Sequence, residues 1–447
     1  MRENKILIQP FQFISYLEVS AYKAIGEHSS IKVKGIIDAA LSEEYFAMAE
    51  EDVWVKVILN NGDRNTIFFQ GIVIDLYITN ENGVYTLEFE AKSGSYLLDC
   101  CEHTRSFQAD EITYMQMMDI CLQPYEYAAC NMSIYGDDEI NEMVMQYKES
   151  DWEFFKRLAG KKDTVVYPDN CAKGIQVNYG IKETSGSKLI KSTEYSVKRD
   201  SSGGTYIITG RENHELGDKV LFLNKDLYVV QVESQMKGNE LYHKCFLRKK
   251  DEIRQTPIVN KNLQGLSLLA VVTAVIGDMV QIHIIEDENI EHSGYRWYTY
   301  ATVYSTPDGT GWYCMPEVGD TVRIHFPDSD ENSAYVISSV HIENGQDRIN
   351  PAHKSFMNKQ RKEVLFTPDA IILRNNNGLL LEMNDNEGIK LISNKDIILQ
   401  AADNIMIASQ SSNISMEAEN ALSMKQGSAA LSLNNTIKMS GGKINMN

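Results

Sequence analysis

The sequence predicts a mainly β protein that ends in a repetitive ribbon. Runs of β-branched and aromatic residues alternate with Gly-, Asn- and Asp-rich turns, one region changes to a helical period, and the last part of the chain repeats itself. From these observations we predict two tandem β-barrels with a helical insertion, an OB-fold barrel, and a C-terminal intertwined trimeric β-helix, also called a β-prism.

The first predicted barrel spans residues 1–95. Its strand patterns are VWVKVIL, TIFFQGIVIDLYI and VYTLEFEAKS, and the turns NNGD and NENG separate them. Strand patterns return in residues 166–255, for example in GTYIITG and DKVLFLNKDLYVVQVESQM. They predict a second β unit of similar size.

The predicted helical insertion, residues 96–165, lies between these barrels. The stretch EITYMQMMDICL spaces its apolar residues as a helix does. In SDWEFFKRLAG, Ser150 and Glu153 hold the positions of a capping box, and Trp152 and Phe155 share one helical face. A helix is therefore expected to begin at this serine.

Residues 256–345 contain a compact set of short strand patterns with turns at Gly277 and Gly319. Five or so short strands in about eighty residues is the size of an OB-fold barrel. We predict a linker over residues 346–368 and a β-helix needle over residues 369–447.

The tail contains an internal repeat. Its apolar residues come in pairs spaced i and i+2, and the pair recurs about every eight residues. Positions i and i+2 lie about 200° apart around a helix but share one face of a strand, so the unit is a short strand and a turn. The predicted trimer core consists of Ile389, Leu391, Ile397, Leu399, Ile405, Ile407, Ile414, Met416, Leu422, Met424, Leu431, Leu433, Ile437, Met439, Ile444 and Met446.

One such ribbon has no second layer to cover its apolar face. The tail has no aromatic residue after Phe366 and no proline after Pro368, so it lacks bulky side chains for a sandwich core. Aliphatic side chains from three copies could instead meet on a narrow axis. A single-chain β-solenoid or sandwich and a disordered Ser/Asn-rich tail are the alternatives.

Composition narrows the classes of partner. The formal net charge is −19, and the segment 369–447 contributes only eight acidic and six basic side chains, so the acidity lies in the preceding residues. Such a surface repels nucleic-acid phosphates, so we predict no nucleic-acid partner. The amino terminus does not resemble a secretory signal and no window reaches eighteen apolar residues, so synthesis in the cytoplasm is expected.

The sequence contains few signs of catalysis. It has no HExxH, GxSxG, GxGxxG or Walker motif, and its seven cysteines form no CxxC pair. His283 and His325 fall in strand patterns, and Asp328 and Asp330 fall in a polar loop. We therefore predict no enzyme activity, no catalytic or metal-binding residue and no cofactor.

Several stretches resemble one known family, the spike proteins of contractile injection machines, which include the valine-glycine repeat (VgrG) proteins and phage hub and tail-spike proteins. FFQGIVIDLYITNENGVYTLEFEA resembles the first-barrel segment, HTRSFQ resembles the R-x-F-Q that follows it, and YKESDWEFFKRLAG resembles the Y-x-E-S-D-x-x-F-x-x-R-L helix. The matching positions are Phe69, Gly71, Val73, Arg105, Phe107, Gln108, Tyr147, Glu149, Ser150, Asp151, Phe154, Arg157 and Leu158.

The resemblance continues into the OB region. GWYCMPEVGDTVRIHFPDSDENSAYVISSV is similar to a family segment in which P-x-x-G-D/E-x-V precedes an acidic loop and a closing strand. Pro316, Gly319, Asp320 and Val322 hold those places. The tail uses Ile, Leu and Met pairs in place of the family's Val-x-Gly signature.

The resemblance implies a structural role. The two tandem barrels would form a hub, and three chains would present six similar barrels to a hexameric tail-tube protein. Baseplate proteins and a small tip protein or effector would be further partners, in a phage tail-like particle or secretion apparatus that meets a target membrane only on firing. The alternative is a phage-type tail spike or fibre that binds cell-wall glycan, with or without an unrecognised hydrolase activity.

Overall fold

A computed structural model describes residues 5–60, 65–183, 186–192, 194–201, 203–341 and 349–443. The chain divides into two compact units, Met1–Ile342 and Glu343–Asn447. Strands dominate both units, which confirms the predicted fold class. Among the described residues, no helix is both long and apolar enough to cross a bilayer.

The first predicted barrel region forms a strongly alternating β unit. Val55, Val57 and Leu59 in one strand are buried, and the residues between them are half-exposed. This period of two places one face of the sheet on a core. The elements are β1 (Lys5–Gln9), β2 (Ser15–Ala24), β3 (Ser30–Ile37), α1 (Ser42–Met48), β4 (Trp54–Asn60), β5 (Asn65–Glu81) and β6 (Val84–Lys92).

The predicted helical insertion is a mixed α/β segment. Ser150 caps its longest helix and Glu153 completes the capping box, as the sequence predicts. A second capping box joins Thr113 and Gln116 at the preceding helix. The elements are β7 (Glu102–Phe107), α2 (Tyr114–Leu122), β8 (Ala128–Met132), β9 (Val144–Ser150), α3 (Asp151–Lys161), β10 (Val166–Pro168) and β11 (Ile175–Tyr179).

The strands of the two predicted barrels form one continuous twelve-stranded sheet. The join is the antiparallel pair of the second strand, β2, with the long strand Lys225–Lys237, in which Ala21 lies opposite Ser234. Each half keeps its own apolar cluster. The later strands are β12 (Lys188–Leu189), β13 (Tyr195–Asp200), β14 (Gly203–Gly210), β15 (Lys219–Phe222), β16 (Lys225–Lys237) and β17 (Glu240–Arg248).

The predicted OB region is a closed barrel with the order β18-β19-β20-β22-β21. Val272, Ile282, Val322 and Val336 are among its fully buried side chains. The number, order and closure of the strands are those of an OB fold. The strands are β18 (Ser267–Ile276), β19 (Met279–Ile284), β20 (Tyr298–Ala301), β21 (Thr321–His325) and β22 (Tyr335–Ile337).

The carboxy-terminal unit holds two antiparallel sheets of five and three strands. The first sheet begins inside the segment 346–368 that the sequence suggested was a linker. That expectation is wrong for residues 354–357 and 363–366, because apolar alternation there matches the next strands. The strands are β23 (Lys354–Met357), β24 (Glu363–Phe366), β25 (Ala370–Arg374), β26 (Leu380–Asn384), β27 (Gly388–Ile392), β28 (Leu422–Gln426), β29 (Ala429–Leu433) and β30 (Ile437–Ser440).

Short 3-10 helices complete the described secondary structure. Most of them connect neighbouring strands, and one lies in the acidic loop of the OB barrel. They span Ala39–Leu41, Gly94–Asp99, Lys250–Glu252, Lys261–Leu263, Ile290–His292 and Glu331–Ser333.

A buried polar cluster lies at the join between the two halves of the twelve-stranded sheet. The Lys23 ammonium is fully buried and donates to the Phe68 carbonyl oxygen at 2.8 Å and to the Glu215 carboxylate at 2.8 and 3.0 Å. His243 lies beside it, is 1% exposed, and shares a hydrogen bond of 2.8 Å with the Ser234 hydroxyl. Burial and the nearby positive charge lower the His243 pKa to about 4.

This cluster predicts acid sensitivity. An unfolded chain gains a proton at His243 near pH 6.5, whereas the folded chain, in which Lys23 and His214 face the ring, resists that proton until about pH 4. The contribution of neutral His243 to the free energy of unfolding is therefore fully present above pH 6.5 and is lost as the pH falls towards about 4. The total loss is about 3 kcal/mol. We expect His243→Gln to flatten the change of the urea midpoint over this range. An identical pH dependence in the variant would contradict this assignment.

Candidate assembly site

The five-stranded sheet of the carboxy-terminal unit carries two apolar rows on one face. Cross-strand pairing places Ile389 opposite Met383 and Leu391 opposite Leu381, so the first pair of predicted core residues continues rows that begin upstream. Side chains opposite one another in a sheet contact each other directly. The rows are Phe356, Val364, Leu373, Leu381 and Leu391, and Phe366, Ile371, Met383 and Ile389.

The opposite face of this sheet is mixed. Glu363 and Arg374 form an ion pair of 2.7 Å there, and Glu382 lies opposite Lys390. By contrast, the side chains of the two apolar rows are exposed or half-buried in the single chain. A contiguous apolar face of this extent is typical of an interaction surface.

The three-stranded sheet brings six more predicted core residues together. Its strands β28, β29 and β30 are consecutive hairpins. The pairing aligns the apolar positions of all three strands in two rows on one face. These rows are Leu422, Leu433 and Ile437, and Met424, Leu431 and Met439.

The middle of the tail has the same apolar pairs but no strand. Residues 393–421, all of which the structure describes, are assigned to no sheet. Their predicted core side chains are 50 to 67% exposed, and they are Ile397, Leu399, Ile405, Ile407, Ile414 and Met416. Ile444 and Met446 lie outside the described residues.

A second candidate site joins the insertion to the OB barrel, and we call it the joint. At its centre, the Arg157 guanidinium bonds to the Glu149 carboxylate at 2.9 Å and to Glu331 in the acidic loop of the OB barrel at 2.7 Å. All three side chains are buried. Burial opposes the positive charge, but the hydrogen bonds and charges of both carboxylates raise the Arg157 pKa overall. Burial also raises the pKa of Glu149, against the effect of Arg157.

Arg105 and Asp151, from the two sequence motifs of the insertion, form a second ion pair near Arg157. The Arg105 guanidinium donates to the Asp151 carboxylate, which also accepts a hydrogen bond of 2.8 Å from the Tyr125 hydroxyl. The Phe107 and Phe154 rings stack with centroids 6.0 Å apart. Residues from the two motifs that the sequence singles out, R-x-F-Q and the Y-x-E-S-D helix, therefore pair with each other.

Backbone and side-chain hydrogen bonds extend the joint along the OB barrel. Asp287 accepts from the Ser106 backbone N–H at 3.0 Å and from its hydroxyl, and Glu288 accepts from the Thr104 N–H at 2.9 Å. The Asn260 side chain donates to the Tyr147 carbonyl oxygen at 2.8 Å. The sequence gives no signal for these partners because they lie more than a hundred residues apart.

The histidines and the aspartate of the OB barrel that are candidates for a catalytic or metal-binding role form hydrogen bonds to nearby groups. His283 pairs with Ser293 and His325 with Ser267, both at 2.8 Å. The Asp328 carboxylate accepts from backbone and hydroxyl groups of its own loop. Within the described ranges, no three His, Cys, Asp or Glu side chains are grouped as metal ligands.

Residues 270–341 match the family model described as the type VI secretion system/phage-baseplate injector OB domain. The match covers most of the closed barrel, including the acidic loop that reaches the joint. None of the curated proteins matches the sequence.

Solved structures share the fold over most of the chain. One is the E. coli c3393 protein, a component of the type VI secretion system with structural similarity to T4 bacteriophage tail proteins gp27 and gp5. Its TM-score with this chain is 0.53 and the sequences are 13% identical. The alignment covers 75% of this chain and 100% of that one. Another is a chain of the half-lidded Francisella PdpA-VgrG complex, with a TM-score of 0.54, 10% identity and coverage of 87% of each chain. The resemblance predicted from the sequence is confirmed.

Proposed function

We propose that this chain is the trimeric spike and hub of a contractile injection machine. In this role it joins a hexameric inner tube to a membrane-puncturing needle and carries a tip protein or effector. The observation that carries the proposal is the tail. Its predicted core residues form apolar rows in two sheets whose side chains are exposed or half-buried, and the repeats between those sheets have no strand partner within one chain.

A second copy of the same chain is the simplest cover for those rows. Identical copies carry the same apolar pairs at the same spacing, so the register that buries one repeat buries the next. Main-chain groups of residues 393–421 would then find partners between chains, as a strand requires. Three copies suit the narrow axis that aliphatic side chains can fill.

The joint consists of buried charged and apolar contacts, as a connection that transmits force requires. A contracting sheath would push on the hub, and the thrust must pass through the OB barrel to reach a needle. The buried Arg157–Glu331 ion pair, together with a strand, β9, whose two faces enter separate apolar cores, holds the barrel to the insertion. The proposal needs no catalytic step, cofactor or nucleic acid.

Fold-sharing proteins support the partner assignments. The c3393 protein is described as part of the type VI secretion system, and the Francisella protein was solved in complex with PdpA. By analogy we propose baseplate proteins and an effector or tip protein as partners, in a phage tail-like particle or secretion apparatus. Synthesis would be cytoplasmic, and delivery would be to or through the target envelope.

Microscopy of native particles tests this function. An affinity tag placed before residue 5 should be located by a gold-labelled binder at one end of the inner tube, in one focus per particle. Particles from cells that lack the chain should be absent or should lack the spike. Complete, spiked particles made without the chain would contradict the proposal.

A further inference from the structure

One end of the OB barrel carries a group of exposed aromatic side chains, which we call the aromatic end. Tyr304, Trp312 and Tyr313 are 55%, 63% and 75% exposed. They lie in the connection between β20 and β21. The Tyr313 hydroxyl donates to the Gly277 carbonyl oxygen at 3.0 Å, which brings the connection against the turn between β18 and β19, next to the exposed Ile276.

The aromatic end is an ordered hairpin. The Trp312 N–H donates to the Tyr304 carbonyl oxygen at 2.8 Å, and Ser305 bridges to Gly311. Gly311 has a φ of +146°, and a Cβ there would lie 2.4 Å from the Tyr304 carbonyl oxygen, so the close approach requires glycine. At the tip, the Thr306 N–H donates to the Thr310 carbonyl oxygen at 2.8 Å. The backbone therefore holds Tyr304 and Trp312 opposite each other on the two arms of the hairpin.

This hairpin lies against the turn between the first two strands of the OB barrel. OB barrels bind oligosaccharides and oligonucleotides at the loop between their first two strands and the neighbouring surface. Here that loop is the turn at Gly277, against which the Tyr313 hydroxyl is held. Exposed Tyr and Trp rings present flat apolar faces with a polar edge, which suits a ligand that has both apolar and hydroxyl-rich faces.

Charge decides between the two ligand classes. Three acidic residues lie close to the rings along the chain: Asp308 is in the turn of the hairpin, Asp278 follows Gly277, and Glu317 comes four residues after Tyr313. The whole chain has a net charge of −19. The Asp308 carboxylate is ionised at neutral pH, and hydrogen bonds from Thr306 and Thr310 lower its pKa further, to about 2. Carboxylates repel phosphates but accept hydrogen bonds from sugar hydroxyls.

We propose that the aromatic end binds an uncharged oligosaccharide, with Trp312 and Tyr304 stacked on the apolar faces of its sugar rings. This inference goes beyond the proposed spike function. It requires neither a trimer nor a tube partner, and it gives the OB barrel a direct contact with surface or cell-wall glycan.

Titration calorimetry on the full chain tests the proposal, with tetra-N-acetylchitotetraose and maltotetraose as separate probes. We expect saturable binding of at least one of them, and the preferred probe indicates whether N-acetyl groups are recognised. Trp312→Ala should weaken that binding roughly tenfold or more, because it removes the ring on which a sugar face stacks. Tyr77→Ala, which removes an exposed tyrosine (62%) from β5, is the matched control and should bind as the unaltered chain does.

Four outcomes would overturn the proposal. One is no binding of either sugar, and another is equal binding by the Trp312→Ala and Tyr77→Ala variants. The third is a change of mass for Trp312→Ala in light scattering, which would assign the aromatic end to a contact between copies. Tighter binding of single-stranded oligothymidine than of either sugar would also contradict it, since the charge argument would then fail.

Discussion

Replacing Ile397 and Ile405 by aspartate is expected to abolish the trimer that we propose and to yield monomers or aggregates. Both side chains lie in the stretch that forms no strand in a single chain, and both are predicted to point at the trimer axis. Each buried aliphatic side chain contributes about 1.5 to 3 kcal/mol, and an unpaired buried carboxylate costs several kcal/mol more. Six such changes per trimer should outweigh the neighbouring contacts. Light scattering coupled to size exclusion measures the result.

Ile398→Asp/Met406→Asp is the matched control. These residues sit between the members of the same two pairs, so a strand would turn them to the opposite side, towards solvent. They are 80% and 88% exposed in the single chain. We expect this variant to remain trimeric. If the Ile397/Ile405 variant stayed trimeric, or if both variants dissociated equally, the core assignment would be wrong.

Replacing Arg157 by methionine is expected to destabilise the first unit by about 3 to 5 kcal/mol. The change would leave the Glu149 and Glu331 carboxylates buried without their shared cation, which is the expensive way to break a buried ion pair. It would also free the Met145 carbonyl oxygen, which now accepts a hydrogen bond of 2.8 Å from Arg157. The shift of the urea unfolding midpoint, monitored by tryptophan fluorescence, gives the measurement.

Lys161→Met is the control for this prediction. Lys161 lies on the same helix and pairs with Glu142 at 2.7 Å, but both side chains are partly exposed. Such a pair contributes about 0 to 1 kcal/mol. A loss at Arg157 no larger than the loss at Lys161 would show that the joint is not held by its buried charges. Adding Glu149→Gln and Glu331→Gln to Arg157→Met should recover part of the stability.

Local patterns in the sequence were sufficient for the two helices of the insertion and for the OB barrel, but they did not predict the short helix α1 (Ser42–Met48). The capping box at Ser150 and Glu153 is a short-range signal that no distant contact alters. The OB strands follow one another along the chain, so their order of appearance is close to their order in space. Both features depend on neighbours within a few residues to a few tens of residues.

The sequence did not predict which distant segments of the chain pair with each other. The join of the two halves of the twelve-stranded sheet pairs Ser20–Ala24 with Gln231–Gln235, two segments about two hundred residues apart. Nothing in either strand pattern identifies the other. The joint is a partial exception. Its residues Arg105, Glu149, Asp151 and Arg157 were singled out by resemblance, whereas their pairing and the partner Glu331 became visible only in the structure.

The tail shows both the strength and the limit of repeat analysis. The i, i+2 spacing correctly indicates which side chains share a face in β27 to β30. It missed the strands at residues 354–357 and 363–366 because they precede the regular repeat. The assignment of the paired residues to a trimer core stays a prediction, since a property of several chains cannot be read from one.

Sedimentation equilibrium of the full-length protein at micromolar concentration tests the central claim most directly. If three tails wind into one shaft, the measured mass will be three times the 50.6 kDa of the chain and will not fall on dilution. A stable, folded species of 50.6 kDa with its tail intact would contradict the account.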